Sequence, residues 1–404
     1  MAIKSTLTCL WVSLLAAGAA TAPHAAPATA LSPAAASASG YNQPPKEILD
    51  VMRAPSPPLP VLSPTRDRML LVSWQEYPSI SRVAAPFLRL AGVRVEPGNH
   101  SKHDTPGGYG ITPCARSFDL VHIADGAQSP IALPAGACPG RPLWSADGKR
   151  FAFENIAKDS VELWIGDASS GAVRRVPGAR LNPMLEDQLQ WMPDQKTLLV
   201  KLVPPRMGPP PPEPAVPNGP SIQESDGGKG QSSTYENRDT LNSKHDEDLF
   251  DYYAASQLAL VDAASATVTP VGTPGRYESL GPAPDGRHLL VTSIRKPYSY
   301  VTTFDRFPQE VEVWDLAKRQ DMTVHHIASL PLADRVPIGG VALGPRDFTW
   351  RATEPATLVW AEALDGGDWK TKVPARDKLM LQKAPFSSAA VEITRTEQRY
   401  MGIA

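Results

Sequence analysis

Apolar and polar positions along the chain alternate in short runs, and the runs return after a recurring four-residue turn. The tetrads are Ser63-Pro64-Thr65-Arg66, Ser145-Ala146-Asp147-Gly148, Met192-Pro193-Asp194-Gln195 and Ala283-Pro284-Asp285-Gly286. Pro presets φ for a turn and Asp-Gly closes it. Each tetrad precedes an apolar run of strand character: MLLVSW from Met69, RFAFEN from Arg150, TLLVKL from Thr197 and HLLVTS from His288. Trp144, Trp191 and Trp350 stand just before or at the turn. A second pattern follows each run: an alternating strand, a Gly/Ala/Asp turn and another strand. It reads FDLVHIADGAQSPIAL (118–133), ELWIGDASSGAVRRV (162–176), QLALVDAASATVTPV (257–271) and EVEVWDLAKRQDMTV (310–324). Together the two patterns predict a four-stranded meander. Such a meander repeated at a period of about 45 residues predicts an all-β fold, the β-propeller.

The spacing tests that expectation. The second residues of the tetrads stand at 64, 146, 193 and 284, and Ala352 in Trp350-Arg351-Ala352-Thr353 marks a degenerate fifth; the steps are 82, 47, 91 and 68. One step matches a bare blade and three need insertions. The chain supplies them near 76–112, where GNHSKHDTPGGYG lies, near 203–245, which begins with a Pro-rich tract, and more briefly over 296–309. About five blades with long excursions are therefore expected over 41–404, and the propeller is expected to be incomplete because Tyr400-Met401-Gly402-Ile403-Ala404 reads as the start of a further strand. The segments 378–381 and 390–394 read as strands of the fifth blade.

The first forty residues follow another logic. Lys4, the apolar stretch 7–20 and the small-residue run TAPHAAPATA have the layout of a signal peptide over 1–30, followed by a flexible leader over 31–40. The apolar stretch is too short to span a bilayer comfortably. Pro44-Pro45 then opens a short helix reaching Met52. The predicted location is exported, periplasmic or extracellular. Export changes the reading of the cysteines, since Cys114 and Cys138 are the pair beyond the signal peptide. An even pair in an oxidising compartment favours a disulfide, with two buried free thiols as the alternative.

Composition removes some functions. With 40 Lys+Arg against 42 Asp+Glu there is no chain-wide electrostatic case for nucleic acid or an anionic membrane as partner. The 43 prolines argue against a helical bundle. The chemistry of a hydrolase is not visible either: no G-x-S-x-G elbow, H-E-x-x-H, P-loop or G-x-G-x-x-G occurs in the 404 residues. His100-Ser101-Lys102-His103-Asp104 lacks helical periodicity and reads as a solvated loop rather than a metal site. His325-His326 sits in a strand, where alternation sends the two rings to opposite faces. Asp246, Glu247 and Asp248 read as an acidic helix start. No catalytic, metal or cofactor site is predicted. Arg295, Tyr298, Tyr300 and Arg306, charged or aromatic residues in one insertion, are candidates for contact with a peptide or with another domain.

Several segments carry a resemblance: GYNQPPKEILDVMRAPSPP (40–58), AAPFLRLAGVRVEP (84–97), PNGPSIQES (217–225), HDEDLFDYYAASQLALVD (245–262), RFPQEVEVWDL (306–316) and WRATEPATLVWAEALDGGD (350–368). In order, they resemble the N-terminal propeller of the prolyl oligopeptidase family of serine peptidases, in its exported glutamyl endopeptidase-like branch. The resemblance spans 40–404. It implies a propeller that covers an α/β-hydrolase domain bearing Ser, Asp and His, admits peptides and restricts folded proteins. No G-x-S-x-G elbow being present, no catalytic residue carries over. The expected function is the substrate-gating portion of such a peptidase, truncated before the catalytic domain and inactive alone. Its partner would be a peptide substrate or a separate α/β-hydrolase domain. A non-catalytic binding or scaffold propeller is the alternative reading, with a propeller enzyme as a weaker third.

Overall fold

The structure is a computed structural model and describes residues 43–105, 110–186, 188–215, 237–317 and 322–402. The expected signal peptide and leader lie outside the described residues. The chain divides into two compact units, Met1–Ala54 and Pro55–Ala404. The described part of the first holds helix α1 (Lys46–Arg53), with Pro45 as its N-cap residue, Glu47 in the first turn and Arg53 in the last. The fixed φ of proline suits a helix start, and both charges suit the helix dipole.

The second unit is a series of five antiparallel meanders, as the repeat predicts. The first blade opens with β1 (Leu59–Leu62) and β2 (Arg68–Trp74). An insertion follows, made of the short helix α2 (Ile80–Val83) and a hairpin of β3 (Leu88–Leu90) and β4 (Val93–Val95); β5 (Ala115–His122) and β6 (Gln128–Pro130) complete the blade. The second blade is β7 (Leu143–Trp144), β8 (Arg150–Ile156), β9 (Val161–Asp167) and β10 (Val173–Leu181). The third is β11 (Leu189–Trp191), β12 (Thr197–Leu202), then, after helix α3 (Lys244–Ala254), β13 (Ser256–Asp262) and β14 (Val268–Gly275). The fourth is β15 (Tyr277–Pro282), β16 (His288–Ile294), β17 (Gln309–Asp315) and β18 (Thr323–Leu330); the fifth is β19 (Pro345–Trp350), β20 (Thr357–Ala363), β21 (Asp377–Lys383) and β22 (Val391–Thr396).

The tetrads earn their recurrence through one backbone position. Their fourth residues, Arg66, Gly148, Gln195 and Gly286, all take left-handed φ between 58° and 67°. Glycine adopts that region freely and other residues at a cost of about 1 kcal/mol. At Gly148 a side chain would also collide, because a Cβ would lie 2.3 Å from Thr65 Oγ1.

Alternation along the second and third strands sends neighbouring side chains to opposite interblade cores. Phe151 and Phe153 of β8 join Leu70, Val72 and Phe118 of the first blade, whereas Ala152 joins Leu198, Val200 and Ala259 of the third. Leu199 and Leu258 pack with Leu289 and Val291, and Leu290, Val311 and Val313 with Leu358 and Trp360. The conspicuous tryptophans tie each blade to the one before. Trp144 Nε1 donates to Val61 O at 2.9 Å, Trp191 Nε1 to Leu143 O at 3.1 Å and Trp350 Nε1 to Gly281 O at 2.7 Å. In the fourth blade Pro282 takes that place and donates nothing.

Two further sequence expectations meet the structure here. Cys114 and Cys138 form a disulfide with Cα atoms 4.6 Å apart, joining the start of β5 to the connection between the first two blades. The strand expected from Tyr400 is not formed over 400–402, and 403–404 lie outside the described residues. Arg399 instead turns the chain inward, bonding Asp377 Oδ1 at 2.6 Å and Asp365 Oδ2 at 2.5 Å, while Tyr400 N donates to Asp377 Oδ2. That charged clasp replaces extended pairing.

Candidate functional site

In each antiparallel blade, the connection from the second to the third strand emerges at the same end as the crossover to the next blade. All three insertions occupy this connection, in the first, third and fourth blades. Their apolar residues meet in one core: Leu90, Val93 and Val95 of the β3–β4 hairpin, Leu249, Phe250 and Tyr253 of α3, and Ile294, Tyr298 and Phe307 of the fourth-blade loop, with Met184 and Leu185 from the crossover after β10. Backbone bonds join them directly, Phe304 N to Ala91 O at 3.0 Å and Gly92 N to Asp239 O at 2.9 Å. Helix α3 starts as expected. Ser243 caps it, its Oγ accepting from Asp246 N at 3.1 Å, and Asp246 and Glu247 fill the first turn. Its residues 249, 250, 253 and 254 form the buried stripe.

The stretch 100–104, expected to be a solvated loop, is instead packed under this cap. His100, Ser101 and His103 are buried. The physical reason is tertiary: Asn99 Nδ2 donates to Ala157 O in the tight turn of the second blade, and His103 stacks on Phe87 with centroids 4.4 Å apart. Burial pushes the His100 imidazole down to about 4, and the Arg180 charge adds to this. His103 is lowered chiefly by burial, against the pull of Asp104. Around it Arg82, Glu96, Arg94, Asp104 and Asp239 form a charged network.

The four contact candidates separate. Tyr298 is buried, stacked on Phe307 at 5.1 Å and donating its hydroxyl to Asp251; burial, then that carboxylate, push its hydroxyl pKa upward. Tyr300 donates to Glu247 Oε1 at 3.0 Å. These two therefore bind the insertion to α3. Arg295 is exposed, and its backbone N–H donates to Pro308 O. Arg306 keeps 23% of its side chain accessible. His325 and His326 diverge as alternation requires, towards Phe386 and Glu310 respectively.

Beside the cap, the second blade has only a short turn between β8 and β9. The neighbouring insertion roofs that gap and leaves a cavity of about 230 Å³. Glu154 of β8 lies in its wall. Gln188 Nε2 donates to Glu154 Oε2 at 3.1 Å, and desolvation raises the carboxyl above the usual carboxylate range, offset in part by that bond and by Lys102. Lys102 itself pairs with Glu186 at 2.9 Å. The corresponding residue of the third blade is Lys201 of β12, also fifth in its strand. It is fully buried, and its Nζ donates to Tyr277 O at 2.8 Å, to Glu278 O at 2.7 Å and to Glu186 O. Sequence reading placed Glu154 and Lys201 inside apolar runs without assigning them a role. The available signal was a charge in the middle of RFAFEN and TLLVKL, where a buried strand position should be apolar.

No family model matches the chain. A probable glutamyl endopeptidase of Oryza sativa subsp. japonica, named as chloroplastic, is 37% identical over 388 residues, which is 90% of this chain and 39% of that protein. A probable chloroplastic glutamyl endopeptidase of Arabidopsis thaliana is 37% identical over 386 residues, 90% of this chain and 38% of that one. The chain thus spans about two-fifths of the length of these curated relatives. Among solved structures, it is similar to an acylaminoacyl peptidase of Pyrococcus horikoshii at 11% identity, covering 83% of this chain and 39% of that one, with a TM-score of 0.42. It is also similar to the β-propeller domain of the Trilobed protease from Pyrococcus furiosus at 10% identity, covering 84% and 71%, with a TM-score of 0.40. By its five blades the chain is a β-propeller, and over 90% of its length its sequence is homologous to part of the plant glutamyl endopeptidases.

Proposed function

We propose that this propeller limits substrate access in an exported serine peptidase of the glutamyl endopeptidase-like branch, and that the 404 residues alone do not hydrolyse peptides. The observation that carries this reading is the homology over 90% of the chain, in a sequence without a nucleophile elbow. The cap supports the gating part: three insertions share one core at one end of the blades, which gives that end a firm surface rather than separate loops. Arg295 and Arg306, at the margin of the fourth-blade insertion, are the proposed contacts to a peptide or to a hydrolase domain. Export to the periplasm or beyond is supported by the layout of residues 1–30 and by the Cys114–Cys138 disulfide. The plant relatives are named as chloroplastic, so a targeted destination is common ground.

The test is a peptidase assay of the purified chain on Glu-containing peptides, with a serine-reactive fluorophosphonate alongside. Neither turnover nor labelling is expected, and either one overturns the proposed inactivity. Gating is tested separately by adding an α/β-hydrolase domain. The assembly should cleave a short peptide and spare the same sequence inside a folded protein; equal cleavage of both removes the gating role.

A further inference from the structure

The cavity of the second blade holds an arrangement that the gating role leaves unused. Charge sits at one equivalent strand position in consecutive blades, as Glu154 in β8 and Lys201 in β12. At the junction of the third and fourth blades the fold supplies its own ammonium, and three carbonyls receive it. At the junction of the second and third blades the fold supplies a carboxylate and an opening of about 230 Å³. Glu154 Oε2 accepts from Gln188, while Oε1 accepts no hydrogen bond among the described residues. Lys102, which also lines the cavity, is held by Glu186 at 2.9 Å. Ser101 is fully buried in the same wall, and its Oγ has no partner among the described residues. Ile156 and Val161 line the cavity with apolar surface.

A half-buried carboxylate with one oxygen lacking a protein donor invites a cationic partner, and a buried hydroxyl without a partner is costly. Both deficits are met by one ligand that carries several N–H donors, a positive charge and a short apolar body. We propose that this cavity binds a small organic ammonium, with Glu154 as its counter-charge, Ser101 Oγ as a second acceptor and the Ile156–Val161 side receiving its carbon chain. Gly140 positions the acid, since a Cβ there would lie 2.8 Å from Glu154 Cγ.

The experiment uses the full chain with its Ile and Val methyl groups labelled for NMR. It is titrated with n-propylammonium chloride at constant ionic strength and, separately, with 1-propanol. Saturable shifts of the Ile156 and Val161 methyl signals are expected with propylammonium only. Glu154→Gln should weaken binding at least about tenfold, the loss of one charge-assisted hydrogen bond, and Gly140→Ala should weaken it by displacing the carboxylate. The proposal is overturned by absence of saturable shifts at these methyls, by equal binding of propanol, or by unchanged affinity in a folded Glu154→Gln chain. If Glu154→Gln does not fold, the contrast between propylammonium and propanol on the unaltered chain still decides.

Discussion

The junction between the second and third blades and the junction between the third and fourth use the same scaffold to opposite ends. In the first, Trp191 reaches back to Leu143 O and the charged strand position holds an acid beside a cavity. In the second, Pro282 stands where the tryptophan would be, so the bond is missing. Gln190 Nε2 donates forward to Leu280 O at 3.0 Å instead, and Lys201 closes the seam on three carbonyls. A tryptophan stitches one edge and leaves room elsewhere in the seam. A buried ammonium satisfies the crossover carbonyls and fills the seam. The closed junction is thus expected to serve stability, and the open one to have room for a ligand.

The largest test of this contrast is Lys201→Met. It keeps most of the apolar stem and strips the donor from three carbonyls. The expected cost is about 4 kcal/mol by chemical denaturation, on the scale of unmet buried hydrogen bonds. A cost below about 1 kcal/mol would show that the closed junction does not depend on its charge. Next comes the staple between the first two blades. Replacing both Cys114 and Cys138 by Ser should cost about 3 kcal/mol, from the chain entropy released by opening a loop of this length. Trp191→Phe keeps a ring in place and removes only its N–H; about 1 kcal/mol is expected, and the matching Trp144→Phe should agree with it.

Much of this contrast lay within reach of the sequence, because blades repeat locally. The turn tetrads, the strand alternation and the tryptophans all act over a few residues, and each has a backbone or packing reason. The cap did not read through. Its members, such as Ala91 and Phe304, are neighbours in space and far apart in the chain, so 100–104 looked like an ordinary polar loop. The clasp of Arg399 with Asp365 and Asp377 escaped notice for the same reason, and an extended strand was expected in its place. Tyr298 and Tyr300, candidates for contact with a peptide or another domain by sequence, spend their hydroxyls on Asp251 and Glu247. A charge inside an apolar strand was the one local sign of the cavity.

The smallest effect sharpens the open junction. A carboxyl whose folded pKa lies above its unfolded value contributes stability that is complete below the unfolded value, about 4.3 for Glu. That contribution is lost as pH rises through the folded value. Glu154 is raised by burial, so the chain should lose stability across this window. Glu154→Gln should flatten the pH profile of the melting temperature there and be the more stable form at neutral pH. An unchanged profile would show that solvent in the cavity already satisfies the acid.

The cap also changes how the molecule should come apart. A row of blades that touch only their neighbours unfolds like a string of weakly coupled units, and its ends can fray independently. Here the bond from Phe304 N to Ala91 O joins the fourth blade to the first, past two others. Such a bridge makes local opening of one blade disturb a distant one. It converts a linear array into a cooperative unit, and calorimetry should record one heat-absorption peak for the Pro55–Ala404 unit where an uncapped array would melt in steps.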